Sequence, residues 1–188
     1  MGHVFEPATT GRSKCRGCGL LIAAGELRFG EVVPNPFADG ETTQWFHPEC
    51  AAFKRPEPFL QRLQEDGASL PDRERLEAEA RRGLEHPRVT RISGLERASS
   101  GRAQCRSCRE TIAKDSWRIP LVFYEEGRFS PGGFVHVRCC RAYFGITEVM
   151  PRLRRFSPKV DEKDLSEVQS ELDESPPRQA QDEAASAD

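Results

Sequence analysis

Cys15 and Cys18 form a Cys-x2-Cys pair, and after 28 intervening residues His47 and Cys50 form a His-x2-Cys pair. Cys105 and Cys108, followed after 27 residues by His136 and Cys139, repeat the arrangement. Three thiolates and one imidazole make a closed tetrahedral zinc site, and each short pair places two ligands on one tight turn. The sequence therefore predicts two structural zinc ions, one per set. Four strong protein ligands leave no open position for water, so a catalytic zinc is disfavoured. The two sets absorb six of the seven cysteines. Cys140 would give a His-x3-Cys spacing that the first set lacks, and it reads as a small buried helix residue. His3 and His86 read as ordinary surface histidines.

The rest of the chain offers little other chemistry. There is no Gly-x-Ser-x-Gly, no phosphate-cradling Gly-x4-Gly-Lys-Ser/Thr and no His-Glu-x2-His. The carboxylates fall mostly in charged runs, which read as solvated faces. Of 188 residues, 37% are hydrophobic and 31% charged, so two small units would each have a thin core that metal must help to hold. No stretch approaches the roughly 20 apolar residues of a membrane span. The N-terminus has neither a basic nor an apolar segment of a secretory signal. An intracellular protein with reduced thiols is expected.

Charge is unevenly spread. From Asp161 onward there are ten acidic residues against two basic ones, whereas residues 1–160 carry 26 basic and 20 acidic ones. The body is mildly basic, mostly through arginine, whose planar fork suits phosphate.

The elements that must position the ligands follow the same repeat. Residues 27–33 and 42–47 read as strands around a Pro/Asn/Asp-Gly loop, and Pro48 opens a helix. Residues 116–137 read again as strand, Gly/Pro loop and strand, followed by a helix that breaks near Gly145. Between them Asp72, Leu76, Ala80 and Leu84 outline a charged helix with a narrow apolar stripe, stopped by Pro87. The predicted fold class is small α+β zinc-bound domains. The organisation is a finger over 1–60, a charged helical linker over 61–93, a second finger over 94–156, and an acidic disordered tail over 157–188.

The flanks of the ligands carry further likeness. The second unit contains "ASSGRAQCRSC" and "IAKDSWR"; the first contains "ATTGRSKCRGC", "IAAGELRFG" and "WFHPEC". These motifs resemble the PARP-type zinc finger, found in DNA-damage-sensing poly(ADP-ribose) polymerases and some eukaryotic DNA ligases. The resemblance covers roughly 1–60 and 95–150. It implies a small antiparallel sheet with a packed helix that recognises DNA strand breaks. It also implies backbone contacts by an arginine three residues before the first cysteine and another ten after the second. Those residues are Arg12 and Arg28 in the first unit, Arg102 and Arg118 in the second. The family's base-capping positions fall near Ala38 and Thr42, with Phe37 one residue off register. The second insert offers Phe123, Tyr124, Phe129 and Phe134 instead. No transferase domain, ligase core or phosphatase follows in this sequence, so the family's enzymatic activities are not expected.

The expected function is a non-enzymatic, zinc-dependent DNA-binding protein recognising strand breaks, ends or junctions. Its partners would be DNA and proteins of DNA repair or transcription, with no membrane. The alternative is a zinc-stabilised protein-interaction module without direct DNA binding. Arginine-rich, alanine- and glycine-rich usage suits a GC-rich bacterial genome. The expected location is the cytoplasm or nucleoid in a bacterium and the nucleus in a eukaryote.

Overall fold

Between the two ligand pairs of the first set, β-branched and aromatic residues concentrate in 29–33 and 42–46, which lie on two paired strands of an antiparallel sheet. The computed structural model describes residues 2–35, 38–65 and 70–174. The chain divides into two compact units: Met1–Thr90 with Tyr124–Phe129, and Arg91–Phe123 with Ser130–Asp188.

In the first unit, β1 (Val4–Pro7), β2 (Leu27–Pro34) and β3 (Glu41–Phe46) pair in that order, with Phe29 opposite both Phe5 and Phe46. Gly30 lies mid-strand where a Cβ would come within 2.7–2.9 Å of Trp45, Thr43 and Val4, so only glycine fits. Phe5, Phe29 and Phe59 form an aromatic cluster with centroids 5.3–5.8 Å apart, Phe59 meeting the other two edge-to-face. Such contacts contribute about 0.5–1.5 kcal/mol each beyond their burial. After β3, Pro48 begins α1 (Pro48–Lys54), which buries Cys50, Ala51, Ala52 and Phe53.

The segment read as a linker is part of this core. α2 (Pro56–Glu65) and α3 (Arg73–Glu85) both pack against α1. The periodic stripe undercounted the buried face: Leu76 and Ala80 are joined by Glu79 and Gly83, while Leu84 is exposed. Glu79 is tolerated inside because Arg82 neutralises it. A Cβ on Gly83 would stand only 3.2–3.3 Å from the Pro56 ring, so glycine permits this close packing. Asp72 does sit at the N-cap, but it makes no side-chain capping bond.

A second sheet repeats the plan with β4 (Glu96–Arg97), β5 (Trp117–Glu125) and β6 (Arg128–His136), and its hairpin tip, Tyr124–Phe129, belongs to the first unit. Glu126 and Gly127, both with positive φ, turn β5 into β6. A 3₁₀ turn over Val137–Cys139 leads into α4 (Cys140–Phe144), which Gly145 ends in the left-handed conformation, as the break in the pattern predicted. α5 spans Met150–Phe156 and α6 spans Glu162–Asp173.

α6 corrects the reading of a disordered tail beginning at 157. Asp161 caps it by accepting from the Asp164 N–H at 2.8 Å. Leu165, Val168 and Leu172, spaced as one helical face, are fully buried. Arg97 donates to Asp164 at 3.0 Å and Glu167 at 3.2 Å, and Glu171 accepts from the Arg138 N–H. The acidic composition hid a helix with one narrow apolar face. The part of the tail reading that covers 175–188 lies outside the described residues, as does Phe37.

Candidate metal centres and their cationic surroundings

Each metal site is assembled from a knuckle and a strand-to-helix junction. In the first knuckle, the Cys15 N–H bonds to the Leu20 carbonyl and the Gly19 N–H returns to the Cys15 carbonyl, both at 2.8 Å. Gly19 takes φ = 75° to close that turn. Gly17 is equally constrained, since a Cβ there would stand 2.9 Å from Cys50 Cβ. The second knuckle makes the same bonds, Cys105 N–H to Glu110 and Arg109 N–H to Cys105. There a non-glycine, Arg109, holds φ = 65°. His47 and Cys50 straddle the end of β3 and the start of α1; His136 and Cys139 straddle the end of β6 and the 3₁₀ turn.

The sequence-predicted ligands converge in both sets. Cys15, Cys18, His47 and Cys50 place their ligand atoms within 4.8 Å of one another, as do Cys105, Cys108, His136 and Cys139. His47 Nδ1 lies 3.4 Å from Cys18 Sγ and 3.9 Å from Cys50 Sγ, and His136 Nδ1 lies 3.4 and 3.9 Å from Cys108 and Cys139. Ligands at about 2.0–2.3 Å from one tetrahedral ion lie roughly 3.3–3.8 Å apart. The donor set fits zinc, through Nδ1 of each histidine.

The electrostatics ask for a cation in the same place. Hydrogen bonds from Cys15 and then Cys50 hold the Cys18 thiol far below its ordinary value. Hydrogen bonds to Cys15 and then Cys18 raise His47 to about 10. In the second set the Cys139 hydrogen bond lowers Cys105 to about 4, while the reciprocal bond to Cys105 drives Cys139 upward. Three adjacent thiols cannot all ionise against one another; a dication makes all three thiolates compatible. The protein thus carries two structural zinc sites.

Cys140 stays outside the second set. Its thiol donates to the Ile146 carbonyl at 3.4 Å, and burial pushes it up to about 12. That is a packed helix cysteine rather than a ligand or nucleophile. His3 is less peripheral than expected: its Nδ1 accepts from the Val32 N–H at 3.2 Å.

The four arginines divide into two kinds. Arg12 and Arg102 are exposed on the bends before each knuckle, and neither has an acidic partner among the described residues. Arg28 and Arg118 are buried. Arg28 donates to Glu6 at 2.6 Å and Ser13 at 2.8 Å, with its guanidinium 3.5 Å above the Trp45 ring. Arg118 donates twice to Glu96, at 2.6 and 3.0 Å, and lies 3.6 Å above Phe134. The carboxylates were missed in the sequence, although Glu6 and Glu96 precede their arginines by the same 22 residues.

The aromatic side chains of the second insert are also occupied. Arg91 stacks on Phe123, Arg55 lies 3.7 Å above Tyr124, and Phe129 packs edge-on to Phe46. Glu26, likewise missed, lies 3.7 Å from His47 Nε2, where an outer carboxylate orients a zinc-bound imidazole. Among the described residues no helix is long and apolar enough to cross a membrane.

Residues 6–86 match the family "Poly(ADP-ribose) polymerase and DNA-Ligase Zn-finger region". Over 155 residues, 71% of this chain, the protein is 32% identical to a poly [ADP-ribose] polymerase of Sarcophaga peregrina, of which it covers 16%. It is 28% identical over 174 residues to the Drosophila melanogaster poly [ADP-ribose] polymerase, covering 79% of this chain and 17% of that one. It is 24% identical over 165 residues to the polynucleotide 3'-phosphatase ZDP of Arabidopsis thaliana, covering 74% and 24%. The chain thus spans between about a sixth and a quarter of these relatives' lengths. Residues 6–86 are thus a PARP-type zinc finger, and Cys105, Cys108, His136 and Cys139 repeat its ligand set and geometry in the second unit.

Proposed function

We propose that the protein is a non-enzymatic DNA-binding protein that recognises strand breaks, ends or junctions through phosphate contacts. The observation that carries this reading is the pair Arg12 and Arg102. Each stands three residues before the first ligand of its finger, exposed and without an acidic partner among the described residues, on a turn beside the metal site. A guanidinium without a carboxylate keeps its full capacity for a phosphate fork. Arg28 contributes from behind, since its bond to Ser13 braces the loop beside Arg12. Arg118 does the same for its sheet through Glu96. Occupied aromatic faces leave phosphate contact as the main source of affinity. The activities named for the relatives belong to those much longer proteins. The location that suits this function is the nucleoid of a bacterium or the nucleus of a eukaryote, with repair or transcription proteins as partners.

A second reading, a protein-interaction module, draws on the adjacent exposed residues Leu20 and Leu21 of the first knuckle. Nicked-duplex affinity at several salt concentrations separates the two. Each duplex phosphate contact contributes roughly −0.9 to the slope of log K against log salt. Arg12→Gln and Arg102→Gln are each expected to flatten that slope by about one unit while retaining two zinc ions. Unchanged slopes, or negligible affinity of the wild type for DNA, would contradict the DNA reading and favour the interaction module.

A further inference from the structure

The first unit contains a recess of about 500 Å³ lined by Lys14, Arg16, Thr43, Gln44, Trp45 and Arg128, among others. Three of its lining side chains are cationic and none is acidic. In a chain with more acidic than basic residues overall, that is a concentrated positive field. Lys14, Arg16 and Arg128 are exposed and make no ion pair among the described residues.

The arrangement is anchored. Gln44, buried on β3, donates to the Gly127 carbonyl at 2.6 Å and accepts from the Tyr124 hydroxyl at 3.2 Å. Arg55 lies over the Tyr124 ring while making a bidentate pair with buried Glu31 at 2.5–3.0 Å. This chain from Glu31 to Gly127 fixes the backbone that carries Arg128. On the other wall, the Arg16 N–H bonds to the Trp45 carbonyl at 2.9 Å. The cations therefore sit on restrained backbones around a concave floor of amide and hydroxyl groups.

We infer that this recess receives the terminal phosphate monoester of a nucleic-acid strand, an inference that rests on the DNA-binding reading above. A double helix cannot enter a space of that size, whereas a strand end can. A monoester carries about −1.5 to −2 charges at neutral pH, against −1 for an internal diester, and three unpaired cations favour the more highly charged group. The recess does not use Arg12 or Arg102, so end recognition and backbone grip are carried by different side chains.

The test compares duplexes ending in a 5′-phosphate, a 3′-phosphate or hydroxyls only, bound by wild type, Arg128→Gln and Arg16→Gln. All three proteins are first checked for two zinc ions. The wild type is expected to prefer one phosphorylated end over the hydroxyl end by about fivefold. Both variants are expected to lose that preference and to keep the hydroxyl-end affinity. Equal wild-type affinity for all ends would overturn the inference while leaving the DNA reading intact. A uniform loss of affinity for every duplex in the variants would assign the recess to backbone diesters and overturn it too. If the wild type bound no duplex, the DNA reading would fail. A nuclear magnetic resonance titration with a nucleoside 5′-monophosphate would then decide the recess alone: shifts confined to its lining residues would support it, and their absence would overturn it.

Discussion

The two fingers share a ligand set and differ in how they protect it. In the first, Cys18 is half-buried, Glu26 approaches His47, and two further helices brace α1 behind the site. In the second, Cys108 is exposed, and the position equivalent to Glu26 is Ser116, which bonds instead to the Ala113 carbonyl. The brace is α6, packed on the 3₁₀ turn that carries Cys139. The first finger closes two left-handed turns with Gly19 and Gly25; the second uses Arg109 and Asp115 at the equivalent positions. The same zinc chemistry is thus set in a well-supported frame and in a more strained, more open one.

The largest effect that would break this comparison lies in α6. Leu172→Ala, at a fully buried position, is expected to cost about 2–5 kcal/mol in the second unit and nothing in the first. Leu76→Ala in α3 is the mirror experiment, confined to the first unit. Residue-resolved hydrogen exchange on both variants checks this; equal loss of protection in both units would mean that the helices do not brace their own fingers. Because α6 is folded into the core, truncation at Asp161 is expected to destabilise the second finger.

Zinc lability comes next. The exposed Cys108 predicts that a chelator removes the second ion first, several-fold faster than the first, because partial opening exposes one thiolate without unfolding the unit. Stopped-flow release in wild type and in Glu26→Gln sharpens the point. The first site of the variant should move toward the rate of the second, as outer carboxylates support ligand basicity. Release in the reverse order would contradict the assigned difference in protection.

The smallest effect concerns backbone strain. Arg109→Gly is expected to stabilise the second finger by about 1 kcal/mol, since a left-handed conformation costs a non-glycine roughly 1–2 kcal/mol. Gly19→Ala should destabilise the first by a similar amount. Thermal melts of the zinc-loaded variants read both.

Ligands, strands and the helix at Pro48 were legible because each depends on local residue types at fixed spacing. The short strands Val4–Pro7 and Glu96–Arg97 were not, since their pairing partners lie about twenty residues downstream. α2 was hidden by its two prolines, Pro56 and Pro58, which mark a first turn as readily as a loop. α6 was hidden by composition: three apolar residues on one face suffice when a partner surface exists, and the sequence does not display that surface. The burial of Arg28 and Arg118 was likewise invisible, because a carboxylate and an aromatic ring from other strands are needed to take a guanidinium inside.

The central claim is that two independent structural zinc ions each hold one finger. Structural zinc contributes on the order of 10–16 kcal/mol in finger peptides, against a total stability of about 5–15 kcal/mol for a domain. Native mass spectrometry of wild type, Cys18→Ala and Cys108→Ala measures it directly, with exchange protection read unit by unit. The account predicts two, one and one zinc ions, with protection lost only in the unit that carries the substitution. Folded wild-type protein without zinc, or loss of both ions from either single variant, would contradict it.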